Sequence, residues 1–240
     1  MRRKNKISTG GASLSAHKPI RHSAIQPIRH STRNGFTIIE VSVVFLLILA
    51  VTFFVLPKSL DNTRQAKLIS KWTQRYSELQ YMFSVIKAQQ DSSLKEEFKK
   101  ARDEDGKNEI LLNTIKPYLR ITSEVKSGYK QAYMNQTFVP EDSRYYFNKF
   151  YSTNAGDIIG LKWINEKCKE DEVCAIISMD INGEIPPNTW GYDVFGINVF
   201  KDKIEPLGKE ANPDYLNIDC SKEGYGIYCS YYYLIGGKFD

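Results

Sequence analysis

The chain has 240 residues, enough for one or two domains, and its 42% hydrophobic and 25% charged content suits a globular protein better than a disordered one. Its formal net charge of +5 would ordinarily raise the question of a nucleic-acid partner. The excess sits at one end, however: Arg2, Arg3, Lys4, Lys6, Lys18, Arg21, Arg29 and Arg33 precede Phe36 with no acidic residue among them, and from Phe36 onward the chain stands at −3, so charge indicates no nucleic acid.

Residues 1–35 read as a basic leader, rich in Ser, Pro and His, to which no fold is assigned. The pentapeptide Pro-Ile-Arg-His-Ser occurs twice in it, at Pro19–Ser23 and Pro27–Ser31. All three histidines, His17, His22 and His30, lie there too, so the remainder lacks the commonest general base and the commonest metal ligand. From Phe36 to Leu56 there are 21 residues with a single charge, Glu40. At about 1.5 Å per residue a helix of that length reaches across a hydrocarbon layer of about 30 Å. The basic flank places the amino terminus in the cytoplasm and the rest across the membrane. A secretory signal peptide fits less well, because the apolar run is too long and no Ala-x-Ala-like cleavage site follows it. A carboxylate in such a run costs several kcal/mol unless it is paired, so Glu40 calls for a reason.

The residues at the start of the run carry a resemblance. Gly35-Phe36-Thr37-Ile38-Ile39-Glu40 resembles the processing site of type IV pilins and the related pseudopilins of type II secretion. The resemblance implies that a prepilin peptidase cuts after Gly35, that the new amino-terminal Phe36 is methylated, and that Glu40 is the family's glutamate at the fifth mature position. Pro57 falls at the twenty-second, where the family also places a proline. It further implies partners: other pilin or pseudopilin subunits, an inner-membrane assembly platform and the lipid bilayer. In a filament, Glu40 would neutralise the Phe36 ammonium of a neighbour and set axial register. The mature chain would then have 205 residues.

Beyond Pro57 the helical pattern continues. Leu68, Trp72, Tyr76, Leu79, Phe83 and Ile86 recur at spacings of three and four, which makes one apolar stripe, while Lys67, Lys71, Arg75, Glu78 and Lys87 make a solvated face. The long helix is thus predicted in two halves, 36–57 in the membrane or filament core and 58–90 amphipathic, with Pro57 kinking or loosening it. Residues 91–240 are the expected head. Within it, Asp91–Asn108 is a charged, solvated helix and loop, Glu109–Ile121 a short helix around Pro117, and 122–156 an irregular connection. Strands are expected at Asp157–Ile164, Val173–Ile181 and Tyr192–Phe200, and an edge strand at Tyr225–Leu234.

Four cysteines, Cys168, Cys174, Cys220 and Cys229, all follow the apolar run, which points to disulfides in an oxidising compartment. Three pairings are open, and the local ones, Cys168 with Cys174 and Cys220 with Cys229, are expected. The stretch from Asp180 to Asp193 resembles an Asp-x-Asn-Gly…Pro-Asn…Gly-x-Asp segment of some pilin-like domains. Its first reading is a connection between strands, with Asn182-Gly183 supplying positive φ and Pro186-Pro187 stiffening the return. Its second is a Ca2+ site, because Asp180, Asn182, Glu184 and Asp193 offer hard oxygen ligands; Gly183 is not at the sixth loop position, so it is no EF-hand. Major pseudopilins bind calcium in a C-terminal loop, although their ligands do not align here residue by residue.

No phosphate-binding loop, Gly-x-Ser-x-Gly elbow or His-Glu-x-x-His motif occurs, and nothing after Phe36 supports an enzyme. The expected fold is α+β, a long amino-terminal helix packed on a small antiparallel sheet. The expected protein is a structural, minor subunit of a type IV pilus or pseudopilus, held in the inner membrane before assembly with its head in the periplasm. The alternative is an unprocessed single-span anchor carrying a binding or sensor domain.

Overall fold

The computed structural model describes residues 35–90, 103–126, 128–165, 168–169 and 171–238, with the backbone alone at 54–62 and 90. The leader expected at 1–35 therefore lies outside the described residues except for Gly35, as does most of the charged stretch that begins at Asp91. The chain divides into two units, Met1–Leu49 and Ala50–Asp240.

Helix α1 spans Ile38–Gln90 and α2 spans Glu104–Leu119. Six strands follow the first two helices: β1 (Ile121–Glu124), β2 (Phe150–Thr153), β3 (Ile158–Trp163), β4 (Ala175–Asp180), β5 (Val194–Val199) and β6 (Ile204–Pro206). Short helices α3 (Pro213–Asp219) and α4 (Cys229–Tyr232) close the chain. The strands form one antiparallel sheet in the order β1-β2-β3-β4-β5-β6, so each pairs with its neighbours in sequence. The architecture is α+β.

In the first unit, the described side chains of α1 are exposed all round: Phe45, Leu46, Leu47 and Ile48 among them. Among the described residues, no helix is long and apolar enough to cross a membrane. The stretch Ile38–Phe53 of α1, before the residues described in backbone alone, covers about 24 Å at 1.5 Å per residue, and Pro57 is among those described in backbone alone.

In the second unit the amphipathic stripe is buried. Leu68, Trp72, Leu79, Phe83 and Ile86 enter the main core, with Tyr76 packed at its edge. They meet Ile159, Leu161, Ile177, Met179, Phe195, Ile197 and Val199 from one face of the sheet, and Leu111 and Ile115 of α2. The opposite face is covered as well, by a second core of Tyr133, Val139, Phe147, Ile176, Trp190, Val194, Leu207 and Ile227. The central strands are therefore buried on both sides, which explains why β4 reads as a nearly continuous apolar run and not as an alternating one.

Several sequence-based expectations need correction. Residues 122–156 are not all irregular: β1 and β2 lie at their two ends, and their Ser, Thr and Glu content hid them. Tyr225–Leu234 is not an edge strand. Its tyrosines lie in turns and in the one-turn helix α4, which Trp72 anchors by donating from Nε1 to the Ser230 carbonyl at 2.8 Å. Strand β6 and helix α3 were not anticipated, although Asn212-Pro213 is a helix-start signal: the Asn212 side chain accepts from the Tyr215 amide, and Pro213 needs no amide partner there. Finally, Lys71 and Arg75 are not merely solvated, because both pair with the buried Asp157 at the start of β3, at 2.9 and 2.8 Å.

Candidate cation site and amino-terminal motif

Strand β4 ends at Asp180, which faces Val194 in the β4–β5 register. The parity of the strand puts Asp180 on the same face as Ile176 and Ser178, away from α1. The connection then doubles back so that Asp193, the residue before β5, returns beside it. Gly183 sits at φ 76°, and a side chain there would collide with the Gly156 carbonyl at 2.5 Å, so the turn requires glycine. Asp180 and Asp193 are both fully buried.

The structure brings the three sequence-predicted residues together. The Asn182 amide N–H donates to Asp180 Oδ1 at 3.1 Å, and Asn182 Nδ2 donates to Asp193 Oδ2 at 3.2 Å. Asp193 also accepts from the backbone N–H groups of Asn188 (3.1 Å) and Thr189. The Tyr129 hydroxyl donates to Asp180 Oδ2 at 2.6 Å. Burial, reinforced by the Asp193 charge, pushes the Asp180 carboxyl well above the usual range. Burial also raises Asp193, against the backbone donors that favour its charged form. The Tyr129 hydroxyl rises too, through burial first and then the Asp180 charge. Glu184, the remaining carboxylate of the loop, is exposed.

The sequence reading missed three neighbours. Asn188, at φ 51°, brings one end of its side-chain amide to 3.2 Å from both the Ile185 carbonyl and Asp180 Oδ2. It lies within the Asp180–Asp193 stretch, and its side-chain oxygen is of the same type as that of Asn182. Tyr129 and Gln131 come from a segment about 50 residues earlier, where no local pattern marks them. The cluster has the hard-oxygen chemistry that Ca2+ takes.

At the amino-terminal motif, Gly35 and Phe36 are exposed, and a Cβ at Gly35 would meet nothing within 4 Å. Glu40 closes a capping box: Thr37 Oγ1 accepts from the Glu40 amide at 3.3 Å, and Glu40 Oε2 accepts from the Thr37 amide at 2.8 Å. The Thr-x-x-Glu spacing was readable in the sequence and gives Glu40 a role inside its own helix. Cys168 is bonded to Cys174 and Cys220 to Cys229. Asp219 stands close to Cys220 and Cys229, but sulfurs joined in a disulfide offer no thiolate to a metal. Asp219 instead accepts from the amides of Tyr225 and Tyr228 and holds the closing turn.

Comparison with family models, with characterised proteins and with solved structures returns no match for the chain.

Proposed function

We propose that the chain is a structural, minor subunit of a type IV pilus or pseudopilus and not an enzyme. The observation that carries this reading is the division of α1: side chains from Ile38 to Phe53 are exposed and, apart from Glu40, Ser42 and Thr52, apolar, whereas the stripe from Leu68 to Ile86 seats the same helix on the sheet. An apolar surface of that kind needs cover, and a bilayer before assembly and other subunits afterwards would supply it. On this reading a prepilin peptidase removes residues 1–35, Phe36 is methylated, and the head waits in the periplasm on an inner-membrane anchor until an assembly platform extracts it. Glu40 and Pro57 belong to the assembly half of the helix.

One observation favours the rival, an unprocessed anchored domain. Glu40 is already satisfied by Thr37, so its presence alone does not demand a partner's ammonium. The amino terminus of the purified protein separates the two. Co-expression with a prepilin peptidase is expected to yield a chain that begins at Phe36, and Gly35→Val to block that cut. Because Gly35 has open space around it, the substitution leaves the fold alone, and a blocked cut reports on recognition by the peptidase. An intact chain beside an active peptidase overturns the filament reading.

A further inference from the structure

We propose that the pocket framed by the connection between β1 and β2 binds an acidic saccharide, a short chain of hexuronate-type sugars. The inference is independent of the filament reading. It rests on a cavity, on the rings that line it and on the cations around it.

The pocket lies within the second unit, on the side of the sheet away from α1. Its volume of about 550 Å3 falls within the range of ligand-binding clefts, about 300 to 1,000 Å3. Tyr129, Phe138, Phe147 and Phe150 give it aromatic walls. Tyr129 meets Phe150 at 68° and Phe147 meets Phe150 at 55°, so these rings do not form the parallel slot that would hold a flat base on both faces. Rings set at angles suit a sugar, whose C–H bonds present apolar patches on both sides of a puckered ring. Phe138 is 72% exposed and belongs to neither core, which leaves its ring open to a ligand.

The polar groups point the same way. Gln131 is buried in the wall, and its side-chain oxygen has no hydrogen-bond partner. Its neighbours fix which end of the amide faces them. The Tyr129 hydroxyl gives its hydrogen to Asp180 and so accepts from the Gln131 nitrogen, which also donates to Ser178 Oγ at 3.3 Å. The leftover oxygen is screened from bulk water, and a hydroxyl carried into the pocket is a donor that could satisfy it. Tyr146 and Asn148 add further neutral polar groups. Lys126, Lys130 and Lys149 also line the pocket and are exposed. None of them pairs with a carboxylate among the described residues, although Glu124 and Glu141 line the same pocket. Lys130 instead holds its ammonium 6.0 Å from the centroid of the Phe138 ring. Cations without a carboxylate partner around an aromatic cavity call for an anion on the ligand, and a uronic acid supplies one.

The test is calorimetric titration of the full chain, in nonionic detergent micelles, with tetrasaccharides of galacturonate, of mannuronate and of hyaluronan. Neutral maltotetraose and a thymidine octanucleotide are the comparisons. At least one acidic tetrasaccharide is expected to bind saturably, more tightly than maltotetraose, and to weaken as salt is raised. Phe138→Ala should weaken that binding by about tenfold, and so should Lys130→Gln combined with Lys149→Gln. Neither change should move the Tm, because all three side chains are exposed. Residues 1–35 are basic as well, so the variants decide where the sugar sits. Binding that survives both of them lies elsewhere on the chain and overturns the proposal. So does the absence of saturable binding by all three acids, or maltotetraose binding as tightly as they do. Tighter binding of the octanucleotide overturns it in favour of a site for single-stranded nucleic acid.

Discussion

Trp72 ties three parts of the second unit together. It is fully buried, its ring stacks on Phe195 of β5 at a centroid distance of 5.0 Å, and its indole N–H reaches the Ser230 carbonyl in α4. Ser230 in turn accepts the Gly196 amide, so α1, β5 and the end of the chain meet at one point. Truncating a buried tryptophan costs about 3 to 5 kcal/mol. Trp72→Ala is therefore expected to lower the Tm of the full chain by on the order of 10 °C, whereas Trp72→Phe should keep the stack and lose about 1 to 2 kcal/mol for the orphaned carbonyl. Thermal melts of the two variants check this. A loss from Trp72→Phe as large as from Trp72→Ala would mean that the hydrogen bond outweighs the packing.

At the scale of elements, α1 is docked by charge as well as by its apolar stripe. Asp157 is 2% exposed and lies between Lys71 and Arg75, and Arg75 also reaches Glu78 at 2.6 Å. Lys71 further donates to the Ile181 carbonyl, which ties α1 to the residue after Asp180. Removing one partner of a buried pair typically costs about 3 to 5 kcal/mol, and the partial exposure of Lys71 moderates it here. Asp157→Ala should cost about 2 to 3 kcal/mol in denaturant melts, and adding Arg75→Met should recover part of the loss because it removes the uncompensated cation. Additive losses in the double variant would show that Asp157 and Arg75 do not act together. The sequence revealed the stripe of α1 and the strands β3 to β5 because their periodicity is local. It could not reveal the Asp157 pair, whose members are over 80 positions apart and look individually like surface charges. Strands β1 and β2 escaped for a related reason: each is only four residues long and at least half of it is Ser, Thr or Glu, and it is pairing with each other and of β2 with β3 that makes them strands.

For the whole molecule, the apolar start of α1 was plain in the sequence, as were Asp180, Asn182 and Asp193. What local spacing could not give was the loop layer over the far face of the sheet, which brings Tyr129 and Gln131 to that site. On the proposed filament reading Glu40 would be enclosed by other subunits, and the capping box bears on what it would do there. In a filament core an unpaired carboxylate is expensive, and pairing with a neighbour's Phe36 ammonium would offset part of that cost. Yet Glu40→Ala would remove two things at once, the charge and the reciprocal hydrogen bonds with Thr37, and losing a cap alone costs about 1 kcal/mol. Glu40→Gln separates them, since glutamine serves the same position of a capping box without a charge. If the charge organises assembly, both variants should be cleaved normally and keep the Tm of the head, and both should be depleted from sheared filaments. If only the helix start matters, Glu40→Gln should enter filaments at the wild-type level while Glu40→Ala does not. Wild-type incorporation of both variants would leave Glu40 with no part in the polymer and would strengthen the anchored-domain reading.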